Sequence, residues 1–310
     1  MEVVKQPVPD IQREPRKKFW TPHRKEALIG WLFLTPEIIG MLFLNVFALG
    51  FSLYLSLSKW DLLTGVKGIE FTGFDNYVKL FHDPTIIQAV KNNLIYMILT
   101  VPIPIAIALV LAVLIQNSVF FKDYFKVAFF IPYISSIIAV AAVWSALFHP
   151  SLGPINQFLM DIGISNPPKW LVDPKTSLLS IAIISSWASL GYTIIIYMAG
   201  LTNISNEMYE AADIDGAGPL KKFFSITIPM LRPTTFFLLI TMLIGSFKVF
   251  DVIAYLTEGG PNNSSMVLVY RIYEEGFVYH NMGYASTISW LLFGIIGIIT
   301  ALTWKMRNED

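Results

Sequence analysis

The chain has 310 residues, 55% of them hydrophobic and 14% charged, with no cysteine and a formal net charge of zero. A mean hydropathy of +0.59 belongs to a chain that spends most of its length in a bilayer. Zero net charge removes the electrostatic case for nucleic acid or an acidic substrate, and the missing cysteines remove disulfides, thiolate metal sites and a cysteine nucleophile. The four histidines, His23, His82, His149 and His280, stand singly in predicted loops or tails and read as solvated side chains rather than metal ligands.

Residues 1–26 carry seven lysines and arginines together with Pro7, Pro9 and Pro15. So little apolar surface cannot offset the entropy of folding, and the segment reads as a disordered or surface-lying tail. Six apolar windows follow, at roughly 27–57, 93–116, 127–148, 178–200, 231–256 and 284–304. Each is about the 20 residues that a helix needs to cross the hydrocarbon, or longer. Lipid offers no partner to an exposed strand edge, so they are expected to be helices, with Pro36, Pro102 and Pro104 as candidate bends. The first window starts too deep in the chain and is too long for a removed signal peptide, and reads as an anchor.

The expectation is therefore an all-α membrane protein with a six-helix domain over 27–304 and a short tail at 305–310. With the N-terminal tail inside, fourteen lysines and arginines fall on the inner side and seven on the outer. This bias places both termini in the cytoplasm. The same orientation puts the polar loop at 206–222 in the cytoplasm.

That loop is unusually ordered. Ser205 or Asn206 can cap a helix, with Glu207 in its first turn near the positive end of the dipole. Gly216 stops the helix, and Pro219 suits the first position of a second one. Ala211, Ala212, Gly216, Ala217 and Gly218 let a partner approach closely, while Glu210, Asp213 and Asp215 offer acceptors to its basic or amide groups. Two readings fit this chemistry: a rigid knob for a partner's cleft, or an amphipathic loop lying on the membrane. Gly216 and Gly218 precede two lysines, but no G-x-x-x-x-G-K-[ST] pattern occurs and no buried strand leads into them. The chain thus carries no nucleotide site of its own, and energy must come from a partner or an ion gradient.

Glu210-Ala211-Ala212, three residues, Gly216, nine residues, then Ile226-Thr227-Ile228-Pro229 resembles the EAA signature of ABC importer permeases, with Ile228 where leucine is usual. Phe71-Thr72-Gly73-Phe74-Asp75-Asn76-Tyr77, Ser246 to Asp251, Leu256 to Pro261 and Asn281 to Ala285 are similar to the carbohydrate-uptake permeases of the maltose, multiple-sugar and glycerol-phosphate type. The likeness runs from about residue 28 onward and favours the subunit that pairs with a second, different permease. It implies a cytoplasmic loop, Glu210, Ala211, Ala212, Asp213, Asp215, Gly216 and Ala217 among it, that docks on an ATPase subunit. Implied partners are a second permease, two ATP-binding cassette subunits and an extracellular solute-binding protein. The location is a multi-pass place in the plasma membrane of a prokaryote, and no cofactor, metal or catalytic residue is expected in this chain.

A sugar path needs polar groups and aromatic faces at membrane depth. Ser185, Ser189 and Tyr192 follow one another at spacings of four and three on one face of the fourth window. Carried over from the maltose-type relatives, the substrate-path positions are Ser185, Ala188, Ser189, Met242, Gly245, Ser246 and Val249. The same small residues also suit tight packing between membrane helices. Lys248 and Asp251, three apart, could pair; at about 100° per residue, Asp251 falls opposite the Met242 and Ser246 face. With Glu37 they keep an ion-coupled secondary carrier open as a rival, beside an ABC importer for a non-sugar solute.

Overall fold

A computed structural model describes residues 22–117 and 122–307; the tail expected over 1–26 lies mostly outside the described residues. The chain falls into two compact units, one up to Ser52 and one from Leu53 onward. Helix α1 (Pro22–Met41) passes through a π turn at Leu42–Phe47 into α2 (Ala48–Ser56), whose last turn lies beyond Ser52. Pro36 lies inside α1 without ending it. Phe43, Phe47 and Phe51 stack four residues apart, with ring centroids 5.6 and 6.0 Å from one to the next. Phe33 and Leu44 are exposed, a placement that water penalises and lipid does not.

The second unit opens with a two-stranded antiparallel ribbon, β1 (Ser58–Lys59) against β2 (Glu70–Phe71), with Ser58 facing Phe71. Helix α3 (Asp75–His82) follows. It ends on His82, whose ring bonds the Val78 carbonyl 2.8 Å away, so this histidine closes a helix instead of lying in the loop expected for it. Asp83 caps the next helix by accepting from the Thr85 amide at 2.8 Å, and Pro84 takes the first position, where a missing N–H costs nothing. Helices α4 (Pro84–Thr100) and α5 (Pro102–Asn117) together make one apolar run over 84–117, starting nine residues before the expected window.

Helices α6 (Lys122–Ile134) and α7 (Ile137–Leu147) meet at 98°, so the expected window 127–148 is a broken run. Pro132 removes one backbone donor and crowds the preceding turn. Ser135 adds a side-chain bond to the Ile131 carbonyl at 2.8 Å, and Ser136 is extended. After α8 (Pro154–Asp161) comes the long α9 (Ser177–Thr202), then α10 (Asn206–Ile214), α11 (Pro219–Lys222), a π turn at Phe223–Thr227 and α12 (Ile228–Met230). A 63° bend at Leu231 leads into α13 (Arg232–Phe247).

Here a second expected window, 231–256, is also interrupted: α13 stops at Phe247 and α14 (Asp251–Leu256) begins after three non-helical residues. Helix α15 (Leu268–Tyr273), a π turn at Glu274–Val278 and α16 (Met282–Arg307) complete the unit. Four described runs, over 25–56, 84–117, 177–202 and 282–305, are long and apolar enough to cross a membrane; counting each bent pair as one gives up to six.

Helix α9 is the centre of the second unit. It packs against α4, α5, α6, α7 and α13, and Ile181, Ile184, Ile194 and Tyr197 on it are fully buried. Its contact with α6 is set by Gly191: a Cβ there would lie 2.0 Å from the Phe129 carbonyl oxygen, so only glycine allows the backbones this close.

The loop before α15 is held by buried side chains of α4. Asn92 donates to the carbonyls of Asn263 at 2.9 Å and Met266 at 2.8 Å. Asn93 accepts from the Leu268 amide at 2.9 Å. Asn92→Ala removes the donor of both carbonyls, leaving that of Met266 unpaired in the interior, and is expected to cost about 2 kcal/mol. Thermal unfolding of the detergent-solubilised protein should show the loss. Outside the long runs, Arg271 reaches Glu274 at 3.2 Å and also Glu275, whose side chain is buried. Burial works to lower the guanidinium pKa, but Glu275 and then Glu274 outweigh it and hold it above its usual value.

Candidate functional site: an exposed elbow and a cavity

Two places in the second unit collect the residues singled out in the sequence. The first is the elbow formed by α10 and α11. Ser205 caps α10, its hydroxyl accepting from the Glu207 amide at 3.2 Å. At the other end the Ala217 amide donates to Ala212 and the Gly216 amide to Asp213, at 2.8 and 3.0 Å. This pair of bonds is a Schellman cap. It requires the left-handed backbone that Gly216 adopts at φ +72°, where a side chain is strained.

The two arms are then fastened together. The Tyr209 and Thr227 hydroxyls lie 3.0 Å apart, and Lys222 is ion-paired with Asp213. Asp213, expected as an acceptor for a partner, therefore has a partner inside the elbow. Among the described residues Glu210 and Asp215 form no ion pair, and both are exposed, as are Ala211 and Gly216. Ala212 and Ala217 are half-buried, while Ile214 and Leu220 stand 88% and 75% exposed at the tip. Glu210 thus lies on an exposed, apolar-tipped projection whose angle is fixed by backbone and side-chain bonds.

The second place is a cavity of about 360 Å³ between α4, the α6–α7 break, α9 and the end of α13. Ser185, Ala188 and Ser189 line it from α9, and Met242, Gly245 and Ser246 from α13. Val249 lines it too, although the helix that was expected to carry it has ended two residues earlier. All seven expected substrate-path residues are therefore gathered around one space. Gly245 has no heavy atom within 4 Å of an ideal Cβ, so it borders open space and is not a packing glycine like Gly191. Tyr192 does not join them; its ring stacks on Tyr133, 5.0 Å away, which does line the cavity.

The sequence reading missed Tyr96, Thr100 and Ser135 in the cavity wall. Tyr96 and Thr100 are four apart in a largely apolar window, a spacing that signals one polar helical face; Ser135 becomes accessible through a helix break that hydropathy does not register. The placement of Asp251 is corrected. A continuous helix would carry it to the far side of Ser246, but the break at 248–250 returns both Lys248 and Asp251 to the cavity. Neither forms an ion pair among the described residues. Glu37 belongs to the first unit, exposed on α1.

The family model for the inner membrane component of binding-protein-dependent transport systems matches residues 85–304. The chain belongs to that family. The permease is 35% identical over 287 residues to the lactose transport system permease protein LacF of Rhizobium radiobacter, covering 90% of this chain and 94% of the relative. It is 32% identical over 306 residues to the arabinooligosaccharides transport system permease protein AraP of Bacillus subtilis, covering 98% and 95%. These relatives are of the carbohydrate-uptake type that its motifs resemble. The crystal structure of a bacterial alginate ABC transporter, in complex with a periplasmic protein bound to alginate pentasaccharide, contains a chain of the same fold. It superposes with a TM-score of 0.80 at 23% identity, covering 93% of this chain and 96% of that one. The permease is thus a multi-pass protein of the prokaryotic plasma membrane.

Proposed function

We propose that this permease is one half of a heterodimeric pore in an ATP-driven importer of a sugar or oligosaccharide. Six spans with both termini in the cytoplasm carry the cavity at membrane depth, and residues 206–222 dock on an ATPase subunit. The observation that carries the reading is the cavity itself. Its volume falls within the roughly 300–1,000 Å³ of small-molecule sites, and its wall sets hydroxyls and aromatic rings among apolar side chains such as Ile137 and Met242. Sugar as the cargo class is supported by the lactose and arabinooligosaccharide relatives. An extracellular binding protein as the donor is supported by the family.

In this scheme the permease does no covalent chemistry. ATP binding draws the ATPases together and carries the elbows with them, turning the cavity toward the delivered sugar; hydrolysis reverses the movement. The elbow transmits force because its angle is fixed by the Gly216 cap and the Lys222–Asp213 pair. Membership of a binding-protein-dependent family leaves the ion-coupled carrier without support. A non-sugar cargo remains the alternative that a sugar panel tests.

The expected result is ATP-dependent uptake of at least one labelled oligosaccharide by proteoliposomes holding both permeases, the ATPase and the binding protein. The permease alone should take up none. Uptake by the lone permease down an ion gradient would overturn the proposal.

A further inference from the structure

The wall of the cavity has a chemical bias. The hydroxyl of Thr100 donates to the Tyr96 carbonyl at 2.8 Å, that of Ser135 to Ile131 at 2.8 Å, that of Ser189 to Ser186 at 3.0 Å and that of Ser246 to Leu243 at 2.8 Å. Each spends its one proton on its own helix backbone and keeps only lone pairs for the cavity. These four hydroxyls therefore act as acceptors. The hydroxyls of Tyr96, Tyr133 and Ser185 stand at the same wall without such a backbone bond, and two charged groups join them, both delivered by the helix break after α13. Lys248 is exposed at the cavity with three N–H donors, and Asp251 brings a carboxylate that only accepts.

Resting on the reading of the cavity as the cargo path, we infer that Lys248 and Asp251 set the charge selectivity of this permease, making it a path for neutral, hydroxyl-rich cargo and a poor one for uronates or phosphate esters. A neutral sugar can donate its hydroxyls to Asp251 and to the serine and threonine oxygens while one of its own oxygens takes Lys248. A carboxylate or phosphate has nothing to donate to those four oxygens or to Asp251, whose like charge stands at the same cavity as Lys248. With one cation and one anion at the wall, the cavity offers no net field that compensates an anion.

The test uses the complete transporter, with its partner permease and ATPases, held with a non-hydrolysable ATP analogue. Equilibrium dialysis measures binding of labelled maltotriose, arabinotriose and trigalacturonate without the binding protein, so that the latter's own selectivity does not intervene. The wild type should bind one of the neutral trisaccharides at least about tenfold more tightly than trigalacturonate. Asp251→Asn should narrow the gap to within about twofold. Lys248→Met should weaken binding of the neutral sugar about tenfold, and Lys248→Arg, which keeps the charge, should restore it.

Equal wild-type binding of trigalacturonate overturns the inference. So does an unchanged preference in both Asp251→Asn and Lys248→Met. If Lys248→Met fails to assemble, an assembled Lys248→Arg complex that has lost the preference overturns it equally. Failure of the proposed function shows in a different assay, as wild-type proteoliposomes that take up no sugar when ATP and the binding protein are supplied.

Discussion

On the proposed docking role of residues 206–222, replacing Gly216 with valine is expected to reduce ATP-driven uptake at least tenfold while the permease still inserts in the membrane. The backbone there sits at φ +72°, which a β-branched residue adopts only with strain of about 1–3 kcal/mol. No neighbour lies within 4 Å of the added Cβ, so the fold is not disrupted by a clash. What changes is the turn. To relieve φ, the chain must abandon the bonds from Ala217 to Ala212 and from Gly216 to Asp213, and the angle between α10 and α11 goes with them. Lys222 and Asp213, on opposite arms, then separate as well. In the proposed scheme, a projection that pivots cannot transmit closure of an ATPase to the helices behind it. Glu210→Ala should act differently, weakening ATPase capture in co-purification without altering the turn, because Glu210 is exposed and lies a turn and a half before the cap. Uptake and ATPase co-purification that both survive Gly216→Val and Glu210→Ala would remove the docking role from this segment.

The elbow was legible because its signals are local. A capping serine, a glycine in the left-handed position and a proline at a helix start each act through their nearest neighbours, and hydropathy isolates them between apolar runs. The same locality explains what was missed. Hydropathy windows find apolar length but not direction, so the 98° turn after Pro132 and the stop after Phe247 were both absorbed into continuous spans. The second omission mattered chemically. Rotation at 100° per residue is valid only while the helix lasts, and its failure at Lys248 sent Asp251 to the wrong side. The Asn92 and Asn93 pins were invisible for another reason: their acceptors and donor lie more than 170 residues away, and nothing in a local pattern says that a polar residue on an apolar helix will find a loop to hold.

Small residues posed the hardest choice from sequence, since glycine serves both packing and cavities, and the structure separates the two uses. Gly191→Ala is expected to be among the most damaging single-methyl changes in the permease. The added carbon would sit 2.0 Å from the Phe129 carbonyl oxygen and 2.8 Å from the Phe130 Cα, both backbone atoms, so no rotamer change relieves it. Helix α6 must move bodily away from α9, the central helix, at a cost of about 3 kcal/mol or more, the upper range for overpacking. That is a large share of the roughly 5–15 kcal/mol that separates folded from unfolded in ordinary proteins. Recovery of monodisperse permease after detergent extraction should fall several-fold. Gly245→Ala, the same chemical change, meets nothing within 4 Å and should leave recovery unchanged while placing a methyl group in the cavity. Its effect, if the cavity is the sugar path, is a raised KM for uptake with assembly intact. Equal recovery of the two variants would mean that the close approach of α6 to α9 contributes little to the fold. A Gly245→Ala permease with wild-type uptake would move the sugar contact elsewhere along the wall.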